Sequence, residues 1–263
     1  MARIETSDGV WIEYDLEGDS SKSTLMFSNS LGTTRTMWDR QTKAFSSGFR
    51  ILRYDTRGHG RSGAPEGPYT LERLGKDVVD LLDALDLGSV HFCGLSLGGM
   101  TGMWLGANAG DRVEALVLCC TSAHLAPADL WNSRIRQVAE HGMASIADVV
   151  LSRWFTPSFL EKGLSDVDFV RDRLASISPV GYAGCCAAIR DMDCRLGLAK
   201  IEKPCLVIAG TDDLAAPPEH GKLIAAGISG SDYQEIENAA HLANIEQEDA
   251  FNSHVLKFLK QKH

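Results

Sequence analysis

Gly94-Leu95-Ser96-Leu97-Gly98 is the segment with the sharpest chemical meaning in the chain. It follows a run that reads as a strand over residues 90–93 and opens a helical pattern over residues 97–109. A strand that turns directly into a helix strains the backbone at the bend. Side chains two positions before and after that bend would collide, so both positions are glycine. The bend lifts the Ser96 hydroxyl above the C-terminal edge of a sheet. It also leaves free N–H groups of the helix start facing any negative charge formed there. The plain structural reading, that Gly98, Gly102 and Gly106 let a helix lie close on a sheet, is compatible with this one. A dinucleotide loop would need glycine at position 96, and the chain has no Walker lysine motif.

A hydroxyl is a weak nucleophile at neutral pH and needs an adjacent base. In a strand-turn-helix topology of this kind the order is serine, then acid, then histidine. His220, His241, His254 and His263 follow the late strand expected to carry the acid. His254 falls among apolar residues of the last helix, His263 is the last residue, and His220 starts a helix after Pro217-Pro218. His241, in Asn238-Ala239-Ala240-His241 between the last strand and the last helix, is the expected base. The acid should follow the strand over 205–209, where Asp212 and Asp213 are adjacent and spacing alone does not choose between them. An oxyanion hole needs two N–H groups aimed where negative charge develops. Leu97 supplies one, as the residue after the nucleophile. Leu31, in Ser28-Asn29-Ser30-Leu31-Gly32, is expected to supply the other.

The elements that must position these groups alternate. Strands are expected over 24–28, 50–54, 90–93, 113–119, 205–209 and 233–236, after an opening hairpin about Asp8-Gly9. Helices are expected over 71–87, 97–109, from 218, and over 244–260. This predicts an α/β fold with a mostly parallel central sheet flanked by helices. The alternation fails between the strand at 113–119 and that at 205–209, where only helical periodicity remains. A core of residues 1–121 and 197–263 with a helical cap at 122–196 is therefore expected.

Composition narrows the function classes. With 26 Lys plus Arg against 35 Asp plus Glu, the net charge of −9 argues against nucleic acid or an anionic membrane as partner. Residues 1–15, MARIETSDGVWIEYD, carry charges where a signal peptide needs an apolar core, so a cytoplasmic location is expected. Seven cysteines without a C-x-x-C pair suggest small buried packing residues, not a metal site or a disulfide framework.

With these residues in place, the chain resembles the α/β-hydrolase superfamily and, more narrowly, the 3-oxoadipate enol-lactonases. The resemblance rests on SNSLGTTRTMWDRQ, on the stretch from YDTRGHGRSG through VHFCGLSLGGM, on LVIAGTDDLAAPPEHG and on NAAHLANIEQ. It implies the α/β-hydrolase fold with a helical cap insertion. Its G-x-x-D-x-x-x-P pattern, from Gly210 to Pro217, places the acid at Asp213. It places nucleophile, base and oxyanion donors on Ser96, His241, Leu31 and Leu97. The implied reaction opens a small carboxylate-bearing enol-lactone to 3-oxoadipate in aromatic catabolism, with no metal or organic cofactor. An anionic substrate on an acidic protein needs a local cation. Arg134, Arg136, Arg153 and Arg190 of the cap are candidates, with Trp131 and Trp154 as apolar walls. The RYDTRGHGRS loop, with Tyr54, Arg57, His59 and Arg61, is expected to be structural. A general carboxylesterase or cofactor-free perhydrolase would keep the same triad. A non-catalytic ligand-binding module would need none of it.

Overall fold

A computed structural model of the chain describes residues 2–261; His263 lies outside the described residues. Its eight strands are β1 (Ala2–Glu5), β2 (Trp11–Glu17), β3 (Thr24–Ser28), β4 (Arg50–Tyr54), β5 (Val90–Leu95), β6 (Val113–Cys119), β7 (Cys205–Gly210) and β8 (Asp232–Ile236). They form one sheet in the order β1-β2-β4-β3-β5-β6-β7-β8. β1 and β2 pair antiparallel, as do β2 and β4, and every later pairing is parallel. β3, β5 and β7 are buried along their whole length, as expected of parallel strands covered on both faces. Their short uninterrupted apolar runs in the sequence have this cause.

The helices of the core are α1 (Asp39–Phe45), α2 (Leu71–Ala84) and α3 (Leu97–Asn108). α2 starts at Thr70, whose side chain accepts from the Arg73 N–H, and buries its face through Leu71, Leu74, Val78, Leu81 and Leu82. It ends three residues before the expected boundary. Asp86 takes a left-handed conformation (φ 53°), and the Leu87 N–H folds back to the Leu82 carbonyl at 2.9 Å. α1 and the single turn before it, Arg35–Trp38, have too few apolar positions to show a period, and sequence reading does not find them. They nevertheless bring Trp38 to stack on Phe27 of β3, with ring centroids 4.7 Å apart.

Between β6 and β7 come five helices and no strand: α4 (Ala128–His141), α5 (Ala147–Trp154), α6 (Pro157–Lys162), α7 (Leu164–Ala175) and α8 (Pro179–Asp191). α9 (Pro218–Gly227) then follows β7. The expected last helix is two, α10 (Ala243–Glu246) and α11 (Glu248–Lys260), broken at Gln247. Among the described residues no helix is long and apolar enough to cross a membrane. The seven cysteines are unpaired, and all but Cys194 are buried. Burial pushes the thiol of Cys194 up to about 11 and that of Cys186 to about 12, which keeps them protonated and unreactive.

Candidate active site

Ser96 stands between β5 and α3 with φ 56° and ψ −112°, a conformation that L-residues avoid. Its neighbours hold it there. Its N–H donates to the Cys119 carbonyl of β6 at 2.9 Å, and its own carbonyl accepts from Thr121 Oγ1 at 2.7 Å. The flanking glycines are sterically required. A Cβ on Gly94 would lie 2.2 Å from the Gly98 carbonyl oxygen, and one on Gly98 would lie 2.2 Å from the Ser28 carbonyl oxygen. So the first clash is across the bend, and the second is with the neighbouring strand.

The loop after β3 is fastened to the same elbow. The Asn29 carbonyl accepts the Gly98 N–H at 3.0 Å. The Asn29 side chain donates to the Tyr54 carbonyl and accepts from Trp38 Nε1, at 2.8 and 3.1 Å. Leu97 begins α3, where the helix offers its N–H no internal acceptor. Leu31 is buried and lines the cavity above Ser96.

His241 and Asp213 meet at the other side of this cavity. Nδ1 of His241 lies 2.8 Å from Asp213 Oδ2, and both side chains are almost fully buried. A carboxylate only accepts, so Nδ1 carries the proton and Nε2 is left free to take one. Asp213 Oδ1 accepts the N–H groups of Ala215 and Ala216, at 2.7 and 2.9 Å. The carboxylate is thus held on both oxygens. Asp212 is exposed and accepts from its neighbour Thr211 Oγ1. Geometry separates the two aspartates that the residue spacing leaves equal.

His241 is also tied to the cap. Its ring stacks on Trp154 of α5, centroids 6.4 Å apart at 23°. The Leu242 N–H donates to the Trp154 carbonyl at 3.1 Å. Buried Glu246, at the end of α10, accepts the Ala240 N–H on one oxygen at 2.8 Å and the Thr156 N–H on the other at 3.0 Å.

Ser96 and His241 open onto one cavity of about 330 Å³, enough for a ligand of several heavy atoms. The cap contributes Trp131, Arg134, Arg153, Trp154 and Tyr182 to its wall. Arg134 lies over the Trp131 ring, 5.6 Å from its centroid, and forms no ion pair with any described carboxylate. Arg153 donates to the Leu214 carbonyl at 2.5 Å and is exposed. Arg190, a sequence candidate, is not brought to the cavity. Its guanidinium makes two 2.7 Å bonds to the Asp191 carboxylate and one of 2.9 Å to Asn132. Arg136 is exposed and bonds Ser133.

Three polar cavity residues escaped sequence reading: Ser30, Tyr182 and, in this role, His220. Ser30 Oγ and His220 Nδ1 are buried without a hydrogen-bond partner among the described residues, and the buried Tyr182 hydroxyl meets the Arg134 guanidinium without a well-formed hydrogen bond. Burial pushes the Tyr182 phenol well above its ordinary range, against the pull of the Arg134 guanidinium, so it remains a donor. Ser30 was findable as the neighbour of Leu31. Tyr182 carried no signal, because the register of α8 against the core is not written in its periodicity.

The RYDTRGHGRS loop is built as a scaffold. Arg57 makes a two-pronged buried pair with Asp77 of α2 at 2.8 and 2.6 Å, and the Tyr54 hydroxyl bonds Ser28 Oγ at 2.8 Å.

Comparison with known proteins agrees with this architecture. Residues 24–248 match the alpha/beta hydrolase fold family. A curated relative, 3-oxoadipate enol-lactonase 2 of Acinetobacter baylyi, is 39% identical over 97% of this chain and 96% of its own length. The crystal structure of the enol-lactonase from Burkholderia xenovorans LB400 superposes with a TM-score of 0.96 at 41% identity, covering 98% of this chain and all of that one. A hydrolase from Pseudomonas aeruginosa PA01 has a TM-score of 0.96 at 48% identity, covering 98% and 97%.

Proposed function

We propose that this chain, which belongs to the α/β-hydrolase fold family in the branch of the 3-oxoadipate enol-lactonases and is a carboxylic ester hydrolase, opens a small enol-lactone bearing a carboxylate, 3-oxoadipate enol-lactone being the substrate the relatives suggest, through an acyl-enzyme on Ser96. The observation that carries the reading is one cavity lined by the strained Ser96, by His241 paired to Asp213, and by the unneutralised Arg134.

In this mechanism Ser96 Oγ attacks the lactone carbonyl carbon while Nε2 of His241 takes its proton. Asp213 holds the reactive tautomer and stabilises the imidazolium. The tetrahedral oxyanion rests on the N–H groups of Leu31 and Leu97, at the start of α3 where the helix dipole is positive. The ring C–O bond then breaks and His241 returns the proton to the departing enol oxygen. An enol leaves more readily than an alkoxide and relaxes to the ketone. Water deprotonated by His241 cleaves the acyl-Ser96 ester and releases the second carboxylate. Arg134 is the group that receives the substrate's existing carboxylate. A guanidinium with no protein counter-ion, in a partly closed cavity, offsets the net negative field of the chain.

The test is steady-state kinetics on 3-oxoadipate enol-lactone, a neutral lactone of the same ring size and a p-nitrophenyl ester. A kcat/KM advantage for the anionic lactone of about 10-fold or more is expected, worth about 1.4 kcal/mol in the transition state. Equal values for all three would leave a general esterase.

A further inference from the structure

His59 has no contact with the cavity, yet it grips the loop that the proposed mechanism uses. Its ring is 1% exposed, and Nε2 accepts the Gly32 N–H at 2.8 Å. Nδ1 lies 3.2 Å from the Arg57 carbonyl. A carbonyl only accepts and an amide N–H only donates, so the two neighbours fix the tautomer. Nδ1 bears the proton and Nε2 is the acceptor.

What His59 holds is the centre of a tight turn. The Thr33 N–H donates to the Ser30 carbonyl at 3.2 Å, enclosing Leu31 and Gly32, and Gly32 has φ 79°. A glycine with positive φ at the third position of such a turn marks the arrangement whose central peptide is flipped relative to the common one. That peptide joins Leu31 to Gly32, and its N–H is the one His59 accepts. The turn alone does not prevent the flip. Two further contacts make His59 a firm holder. Arg57 is locked to Asp77 of α2 through two bonds, at 2.8 and 2.6 Å. Gly58 is pressed on Gly181 of α8, where a Cβ at position 58 would come within 2.5 Å of the Gly181 Cα.

We propose that His59 is a positioning residue for the oxyanion hole: by accepting the Gly32 N–H it fixes the Ser30–Thr33 turn and so aims the Leu31 N–H at the carbonyl oxygen under attack. This rests on the assignment of Leu31 as an oxyanion donor. The chemistry requires a neutral acceptor at Nε2. Burial lowers the His59 pKa to about 4, which supplies that form throughout the neutral range.

Three substitutions separate the bond from mere filling of space. His59→Leu removes both ring contacts. His59→Asn leaves a polar group near Nδ1 and removes the Nε2 acceptor. His59→Gln can set a carbonyl oxygen near the Nε2 position. His59→Leu and His59→Asn should lower kcat by about 10- to 100-fold with KM changed little, short of the full loss of an oxyanion donor. His59→Gln should recover most of that loss. A phenylboronic acid, which forms a tetrahedral adduct on a serine hydroxyl, should lose affinity in step with kcat across the series. Folding of each variant is checked by circular dichroism and thermal melting. If His59→Leu does not fold, the Asn and Gln pair carries the comparison. Equal kcat and equal boronate affinity for that pair would overturn the proposal. Ser96→Ala in the same assay keeps the two readings apart. A Ser96→Ala protein that still turns over would remove the proposed function. An inactive one beside fully active His59→Asn would remove only the positioning role.

Discussion

The floor of the cavity and its cap-borne wall are built on opposite principles. On the floor, the Asp213–His241 pair, the Ser96 peptide and the turn at Gly32 are hydrogen-bonded before any ligand arrives, and Ser30 Oγ is the exception there. Both oxygens of Asp213 are bonded, the Ser96 peptide is held from β6, Asn29 accepts the Gly98 N–H, and the Ser30–Thr33 turn after it is held by His59. On the wall, Arg134 has no ion pair among the described residues, and the buried Tyr182 hydroxyl meets only the Arg134 guanidinium, without a well-formed hydrogen bond. A preorganised floor keeps its geometry when charge develops, which is where catalytic gain lies. A half-buried guanidinium without a protein counter-ion is free to take up a ligand carboxylate without first breaking an ion pair. Under the proposed function this separates chemistry from recognition. Damage to the floor should appear in kcat, and damage to the wall in KM and substrate choice.

The largest break should come from Ser96→Ala, with kcat for lactone opening down about 10⁵- to 10⁶-fold and ligand affinity largely kept. Turnover by that variant within tenfold of the parent would abolish the contrast altogether. Asp213→Asn should cost about 10⁴-fold in kcat, because an amide can stabilise the wrong imidazole tautomer. The same change at exposed Asp212 should leave kcat near the parent value, so the pair tests the geometric choice between neighbours in one assay.

Stability reports on the floor as well. His59 in the unfolded chain takes a proton near 6.5, but in the folded protein only near 4. A depressed folded value means that its contribution is complete above pH 6.5. It erodes as pH falls from there and is gone by about pH 4, a total of about 3 kcal/mol. Urea midpoints between pH 7 and 4.5 should fall more steeply for the parent than for His59→Gln. Parallel curves would show that His59 is not held neutral by its burial.

The wall gives the smaller effects. Arg134→Ala should raise KM for the anionic lactone by about 10- to 100-fold while a neutral aryl ester is hydrolysed as before, the difference being one charge-assisted contact. An equal loss on both substrates would move Arg134 from recognition to structure. Tyr182→Phe should do least. Removing a hydroxyl that meets only the Arg134 guanidinium should move thermal or urea melts of the ligand-free protein by no more than about 1 kcal/mol and weaken the anionic lactone a few-fold.

The cap shows where sequence reading stops. Val150, Leu151 and Trp154 of α5 face inward at helical spacing, and this much is legible as periodicity. Which residues of α4 and α8 then turn toward Ser96 depends on how those helices rotate against the core. Arg134 and Arg190 have the same chemistry and both lie on cap helices. One lines the cavity, and the other is spent on Asp191.

By itself, the sequence determined the elbow, the order of strands and helices and the helical interruption after β6, and it singled out Ser96 and His241, which line one cavity. Each is local: a glycine pair around a bend, a buried strand's unbroken apolar run, a loop between two periodic segments. Asp213 over Asp212 follows in the sequence only through family resemblance, and in the molecule from hydrogen-bond directions. Tertiary structure alone decided which cap side chains enter the cavity, that Glu246 joins the His241 loop to the cap, and that His59 holds the turn at Gly32. Those contacts join residues 27 to 90 positions apart. Their free energy depends on distance and angle between side chains whose meeting no local pattern encodes.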